Sequence, residues 1–387
     1  MSSFSDFADA MASPRPSVMS EARAFRRVAV LGGGPEARML AAIALSEGSE
    51  VTLFSAYGAE LEAMASGIAL RGAGPVGSYQ VNADAAPSVK TTAELDAAVR
   101  GADLIFLTGP VHKQRTYAMV LADHLADGQV LVVASGRTFA ALETRWMLGI
   151  GGCSAAITIA EAPMPFWFDA AGATLTLSQA SGPRGLLPGN QPDLCASMNA
   201  LLPGTTGVLD VLRSSFADGS GLVEVPAVLL GGPAVEDGGP KIPMGGTSLA
   251  ENQTFRNLIG PQHLTVIEDL ADERREVARR FGIRDLPTTD DWLDTHAGAR
   301  SGDGARPVPD LARSHAMLRD AVIGSLVPLT SAARLAGVAS PATEAMIALA
   351  SSVLKADLAT AGRKLPAMGI DGPDIDTARR ALEAAVR

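Results

Sequence analysis

The chain has only two cysteines in 387 residues, Cys153 and Cys195, too few for a disulfide framework. Its five histidines are scattered, and no Cys/His spacing resembles a metal site. A basic excess is missing as well. The formal charge is −10, which argues against nucleic acid as a partner, because phosphate binding needs a basic face. No apolar run reaches the ~20 residues that a membrane helix needs. Residues 1–24 are rich in Ser, Ala and Pro and lack the basic start and apolar block of a signal peptide. They read as a loosely docked tail, and the cytoplasm is the expected address.

What remains is a composition of 47% apolar and 19% charged residues, suited to a globular protein with a large core. The length favours two domains. Residues 27–55 organise the chain. A β-rich run at 28–31 leads into Gly32-Gly33-Gly34-Pro35-Glu36-Ala37, then a helix of small residues, then a second strand at 51–54. Gly32, Gly34 and Ala37 stand at the three small positions of a dinucleotide-binding turn. Gly32 permits the tight turn, Gly34 the close approach of a pyrophosphate, and Ala37 the close packing of helix on strand. Pro35 opens the helix, whose N-terminus favours a phosphate. Ser55 follows the second strand where many NAD enzymes carry an acid. Without that acid, NADPH is expected to be at least tolerated beside NADH.

Further along, residues 65–71 read as a third strand, and Thr91 to Glu94 as a capping box opening a helix. Strands at 103–107 and 129–134 end at Gly109-Pro110-Val111 and at Ser135. These residues join the cofactor-binding candidates, as strand ends over which a cofactor passes in a doubly wound sheet. His112 reads as a solvated residue at a helix start. A strand at 155–160 ends at Glu161, and 173–177 continues the sheet or forms a ribbon beside it. The alternation implies an α/β Rossmann domain with a mostly parallel sheet over residues 25–200, followed by an all-α domain over 201–387. Residues 232–248 form a Gly/Pro-rich loop that contains Lys241. Helices are expected at 264–281 and 343–358. The second carries Met346, Leu349, Ala350, Val353 and Leu354 as a core or homodimer stripe.

The C-terminal half carries a more specific pattern. Gly324 to Leu329, Ala336-Gly337-Val338 with Pro341, Gly362-Arg363-Lys364-Leu365, Met368-Gly369-Ile370, Asp272 to Ile283 and Trp292 resemble the opine (octopine/nopaline) dehydrogenases, within the 6-phosphogluconate dehydrogenase-like superfamily. Residues 102–110, 128–136 and 157–161 fit the family order, so the resemblance covers about 27–385. It implies NAD(P)H-dependent condensation of an α-keto acid with an amino acid or amine, followed by hydride reduction of the imine. One departure is chemical. The family's catalytic His belongs to an Asn-x-Asn-x-x-x-His-Pro segment, which here corresponds to Asp218 through Pro226. Glu224 stands at the His position, or Val225 if the register follows the Pro. The family's Arg-Tyr-x-x-Glu-Asp pattern is reduced to Ala316 through Ala321. Glu224 is therefore the catalytic candidate, its ordinary alternative being a salt-bridged carboxylate. Glu161, Asp218 and Lys241 are the substrate candidates. Two other functions stay open: reduction of a plain ketone or preformed imine, and nucleotide binding by a decayed enzyme.

Overall fold

The computed structural model describes residues 23–65, 69–72, 80–81, 88–162, 166–171, 174–180, 185–202, 209–231, 254–302, 304–372 and 374–385. The expected tail up to residue 22 and the loop at 232–248, with Lys241, lie outside the described residues.

Among the described residues twelve strands form two sheets: β1 Arg27–Leu31, β2 Glu50–Phe54, β3 Ala69–Gly72, β4 Gln80–Val81, β5 Ser88–Thr92, β6 Leu104–Leu107, β7 Val130–Ala134, β8 Thr158–Ala162, β9 Phe166–Ala171, β10 Thr174–Ala180, β11 Gly185–Leu187 and β12 Leu209–Asp210. The large sheet has nine strands in the order β12-β11-β8-β7-β6-β1-β2-β5-β4. Strands β1, β6 and β7 are continuous Val/Ala/Leu/Ile/Phe runs, buried along nearly their whole length, as strands covered on both faces must be. Pairing is parallel except at β11, which runs antiparallel to β8. The order reverses at β1, which pairs with β2 on one side and β6 on the other. The crevice at the carboxyl ends of such a reversal is where doubly wound folds bind ligands.

Several expected elements shift. The third strand exists but belongs to a separate sheet, β3-β10-β9, where β10 runs parallel to it. β10 is thus a ribbon beside the main sheet. The strand expected to end at Glu161 begins at Thr158 and includes Glu161. The capping box gives way to the sheet: Thr91 stays in β5 opposite Leu53, and the helix Leu95–Val99 starts after Glu94. β12 extends the sheet past residue 200.

The C-terminal part is helical around an axle, the helix Ser220–Gly231. Every residue from Ser220 to Val228 is buried. The helices Pro261–Arg280, Thr289–Ala297, Leu311–Ala321 and Pro341–Leu354 pack around it. Gly219 and Gly221 let neighbours approach: a Cβ at Gly219 would meet Trp292 at 2.2 Å, and one at Gly221 would meet Leu326 at 2.8 Å. The Pro341–Leu354 helix stops at Lys355, which turns left-handed, so it is shorter than expected. Its apolar stripe is split. Ile347 and Ala350 face the core, while Leu349 (41%) and Val353 (49%) are exposed. Among the described residues no single helix is long and apolar enough to cross a membrane.

Candidate active site

The turns after β1, β6 and β7 meet at the sheet's reversal and open into a cleft of about 460 Å³. Its opposite wall is built by Glu224, by Arg306 and by Asp320 at the end of the Leu311–Ala321 helix.

The β1 turn has the form a pyrophosphate needs. Gly32 adopts φ +133°, and a Cβ there would stand 2.3 Å from Thr108 Oγ1. Gly34 has nothing within 4 Å of its Cβ position, so it leaves open space above the turn. The helix Pro35–Ser46 begins there with Pro35 in its first turn and no side chain capping it. Its N–H groups are thus left for a ligand. Ala37 is buried beneath, 3.7 Å from the Gly32 Cβ position, and packs helix against turn. In the β6 turn Gly109 takes φ +93°, and Gln114 Nε2 donates to its carbonyl at 2.9 Å. Pro110 lines the cleft, Val111 is buried behind it, and His112 is exposed. These residues fit a dinucleotide. Ser55 needs a correction. It is buried, and its Oγ donates to Glu60 Oε2 at 2.5 Å. An acid therefore stands at this end of β2 after all, which removes the reason for expecting a 2′-phosphate to be tolerated.

Beyond β7 the backbone is strained. Ser135, Arg137 and Phe139 have φ of 54°, 63° and 60°. Each such residue costs about 1 kcal/mol or more, and strain of this kind gathers at functional sites. Buried Arg363 holds the loop in place: its Nη1 donates to the carbonyls of Gly136 at 2.5 Å and Thr138 at 3.0 Å, and its Nε pairs with Glu143. The left-handed turn sends Arg137 across to the helical wall. Its Nη1 donates to Glu224 Oε2 at 2.8 Å, while Arg306 Nη2 donates to Glu224 Oε1 at 2.9 Å.

Glu224 reaches the cleft wall, where its surroundings favour the ionised form over the protonated form that a proton donor needs. Burial alone would raise its pKa, yet the Arg137 and Arg306 charges outweigh burial and hold the carboxyl below its ordinary value. It is an ionised clamp between two guanidinium groups. Arg137 Nε is buried without a hydrogen-bond partner among the described residues, and so is Asp320 Oδ1. Both side chains line the cleft. Burial raises the Asp320 pKa to about 6, with Arg137 and Arg319 partly offsetting it. Glu36 is raised by burial too, and accepts a hydrogen bond from Ser135 Oγ. The cleft thus holds one unsatisfied donor, one unsatisfied acceptor and two carboxyls whose pKa values burial raises.

Two substrate candidates lie elsewhere. Glu161 is a fully buried residue of β8 and accepts from Ser214 Oγ, Ser215 Oγ and the Ala141 N–H. Burial raises it to about 7, but it ties the sheet to the first helical turns and does not line the cleft. Asp218 is buried beside Arg274 and His296, which lower it to about 2 against the effect of burial. It accepts from Thr138 Oγ1 at 2.8 Å and from the Ser220 N–H, fixing the start of the axle helix. Sequence reasoning missed Glu36, Glu60, Arg137, Arg306 and Asp320. Arg137 follows the marked Ser135 by two residues, and Asp320 lies inside the eroded family pattern. Arg306 gave no signal.

The fold defines a class, a Rossmann sheet followed by an all-α C-terminal domain. No family model matches the chain. In sequence it is similar to the opine dehydrogenase of Arthrobacter sp. (strain 1C), 24% identical over 308 residues, which span 76% of this chain and 82% of that protein. In structure it is similar to an octopine dehydrogenase solved with NADH and pyruvate (TM-score 0.64, 18% identity, 91% of this chain and 98% of the other). It is also similar to a PanE/ApbA family ketopantoate reductase from Ralstonia eutropha JMP134 (TM-score 0.58, 18% identity, 85% and 98%). The chain is thus similar to an opine dehydrogenase in sequence, and the proteins it resembles are dehydrogenases and reductases.

Proposed function

We propose that the protein is an NAD(P)H-dependent reductase of opine dehydrogenase type, acting on the imine formed from an α-keto acid and an amino acid or amine. One observation carries the reading. The glycine cradle at the sheet reversal opens into the same cleft as the buried, unpartnered Arg137 Nε and Asp320 Oδ1. Arg137 and Arg306, oriented by Glu224, hold the substrate carboxylate, a bidentate partner that suits guanidinium groups. When bound, the reduced nicotinamide supplies hydride to the imine carbon. Asp320 delivers the proton to the nitrogen in place of the missing His and is recharged from solvent through the cleft mouth. Its raised pKa keeps a usable protonated fraction near neutrality. A carbonyl reduction follows the same path, with the proton going to oxygen.

The parts fall into a nucleotide-binding domain of 25–200, to which β12 adds an edge, and a helical domain of 201–387. We place the enzyme in the cytoplasm as a homodimer, with Leu349 and Val353 at the contact. The test is nucleotide consumption with α-keto acids, with and without amines. Turnover that needs both the keto acid and the amine supports the reading. Turnover with the keto acid alone turns it into carbonyl reduction. Nucleotide binding without turnover on any of these points to a decayed enzyme.

A further inference from the structure

The acid that β2 lacks at its own end comes from the following helix, Gly58–Met64. Ser55 Oγ donates to Glu60 Oε2 at 2.5 Å, and the Tyr57 N–H donates to Ser55 Oγ at 3.1 Å. These bonds fold Glu60 back over the glycine turn. A Cβ on Gly33 would stand 2.5 Å from Glu60 Oε2 and 2.4 Å from its Cβ, so only glycine permits this packing. The bond from Ser55 takes up Oε2 and leaves Oε1 to one side of it. Gly33, Tyr57 and Glu60 all line the cleft. In a doubly wound fold this end of β2 is where an adenosine ribose rests.

We infer that Glu60, positioned by Ser55, is the residue that accepts the ribose hydroxyls and makes the site selective for NADH over NADPH. This rests on the nucleotide reading of the cleft. A carboxylate accepts hydrogen bonds from two neighbouring hydroxyls. A 2′-phosphate removes one of those donors and sets its own negative charge against the carboxylate. A cleft cation beside Tyr57 is Lys113, whose Nζ sits 4.4 Å from the centroid of the Tyr57 ring. Using it would mean drawing it off the ring. One lost charge-assisted hydrogen bond together with like-charge repulsion corresponds to roughly a ten- to hundredfold preference.

The test is calorimetric titration of the full chain with NADH and with NADPH at one ionic strength. NADH is expected to bind at least about tenfold more tightly. Glu60→Gln keeps the shape and removes the charge, so NADPH affinity should rise several-fold and the gap should narrow. Ser55→Ala keeps the charge but unties it, so NADH affinity should fall without a gain for NADPH. Equal or tighter NADPH binding in the wild type overturns the inference, as does an unchanged gap in a folded Glu60→Gln protein. Should Glu60→Gln fail to fold, the wild-type ratio and Ser55→Ala still decide. If neither nucleotide binds the wild type, the functional reading falls and takes this inference with it.

Discussion

Replacing Glu224 by Gln separates its clamping role from a proton-donating one. The side chain is fully buried between Arg137 and Arg306, whose own side chains are 7% and 10% exposed. Gln keeps the volume and one acceptor but leaves two buried cations without their counter-charge. Breaking a buried pair in this way costs about 3–5 kcal/mol. An unfolding entropy of roughly 2.1 cal/mol/K per residue gives about 0.8 kcal/mol/K for a chain of this length. Tm should therefore fall by roughly 4–6 °C at neutral pH. The pH dependence carries a sign. The folded pKa of Glu224 lies below its ordinary value of 4.5. Its contribution is therefore complete above about pH 4.5 and is lost as the pH falls through the lower folded value. Calorimetric scans of both proteins should show a constant gap from neutral pH down to about pH 5, closing below that. Substrate KM should rise, because the arginines lose their orientation, while nucleotide affinity holds. An undiminished Tm would refute the clamp. A collapse of kcat at unchanged KM and Tm would restore Glu224 as the acid.

Asp320→Asn should behave in the opposite way. The raised pKa means that ionised Asp320 costs stability above about pH 6, a cost that vanishes below its ordinary 3.8. The variant should thus be more stable by about 1–2 kcal/mol at pH 8, discounted for partial exposure, and equal at low pH. It should also lose roughly 10²–10⁴-fold in turnover. Denaturant titrations at both pH values, with assays of the same samples, check this; stability that does not depend on pH would count against it. Light scattering at micromolar concentration should give twice the 39.7 kDa of one chain, and Leu349→Lys with Val353→Lys should halve that mass.

The turn from Gly32 to Ala37 was legible because each small residue answers a local steric demand: the Thr108 contact at Gly32, open space at Gly34, helix packing at Ala37. The strands were legible from continuous apolar runs. The acid and cation network was not, since it joins residues far apart in sequence: Arg137 and Arg306 meet at Glu224 across 87 and 82 positions. Ser55 shows the same limit at short range. Read alone it suggests a missing acid, and only the fold of the next helix returns Glu60 to that position. Glu161 misled for a related reason: a strand end points towards a site only if its side chain faces the open edge, and this one faces Ser214 and Ser215.

On the proposed function, a nicotinamide dinucleotide lies on the turn after β1. Gly34→Val tests it most directly. Gly34 has φ −73° and ψ 174°, extended backbone that valine adopts readily, and its Cβ position meets nothing within 4 Å. The free protein should therefore keep its Tm, while the added methyls fill the space a pyrophosphate needs. NADH titrated into the wild type should bind, and titrated into Gly34→Val it should fail to bind up to millimolar concentration. Equal binding by the two proteins would contradict the proposal.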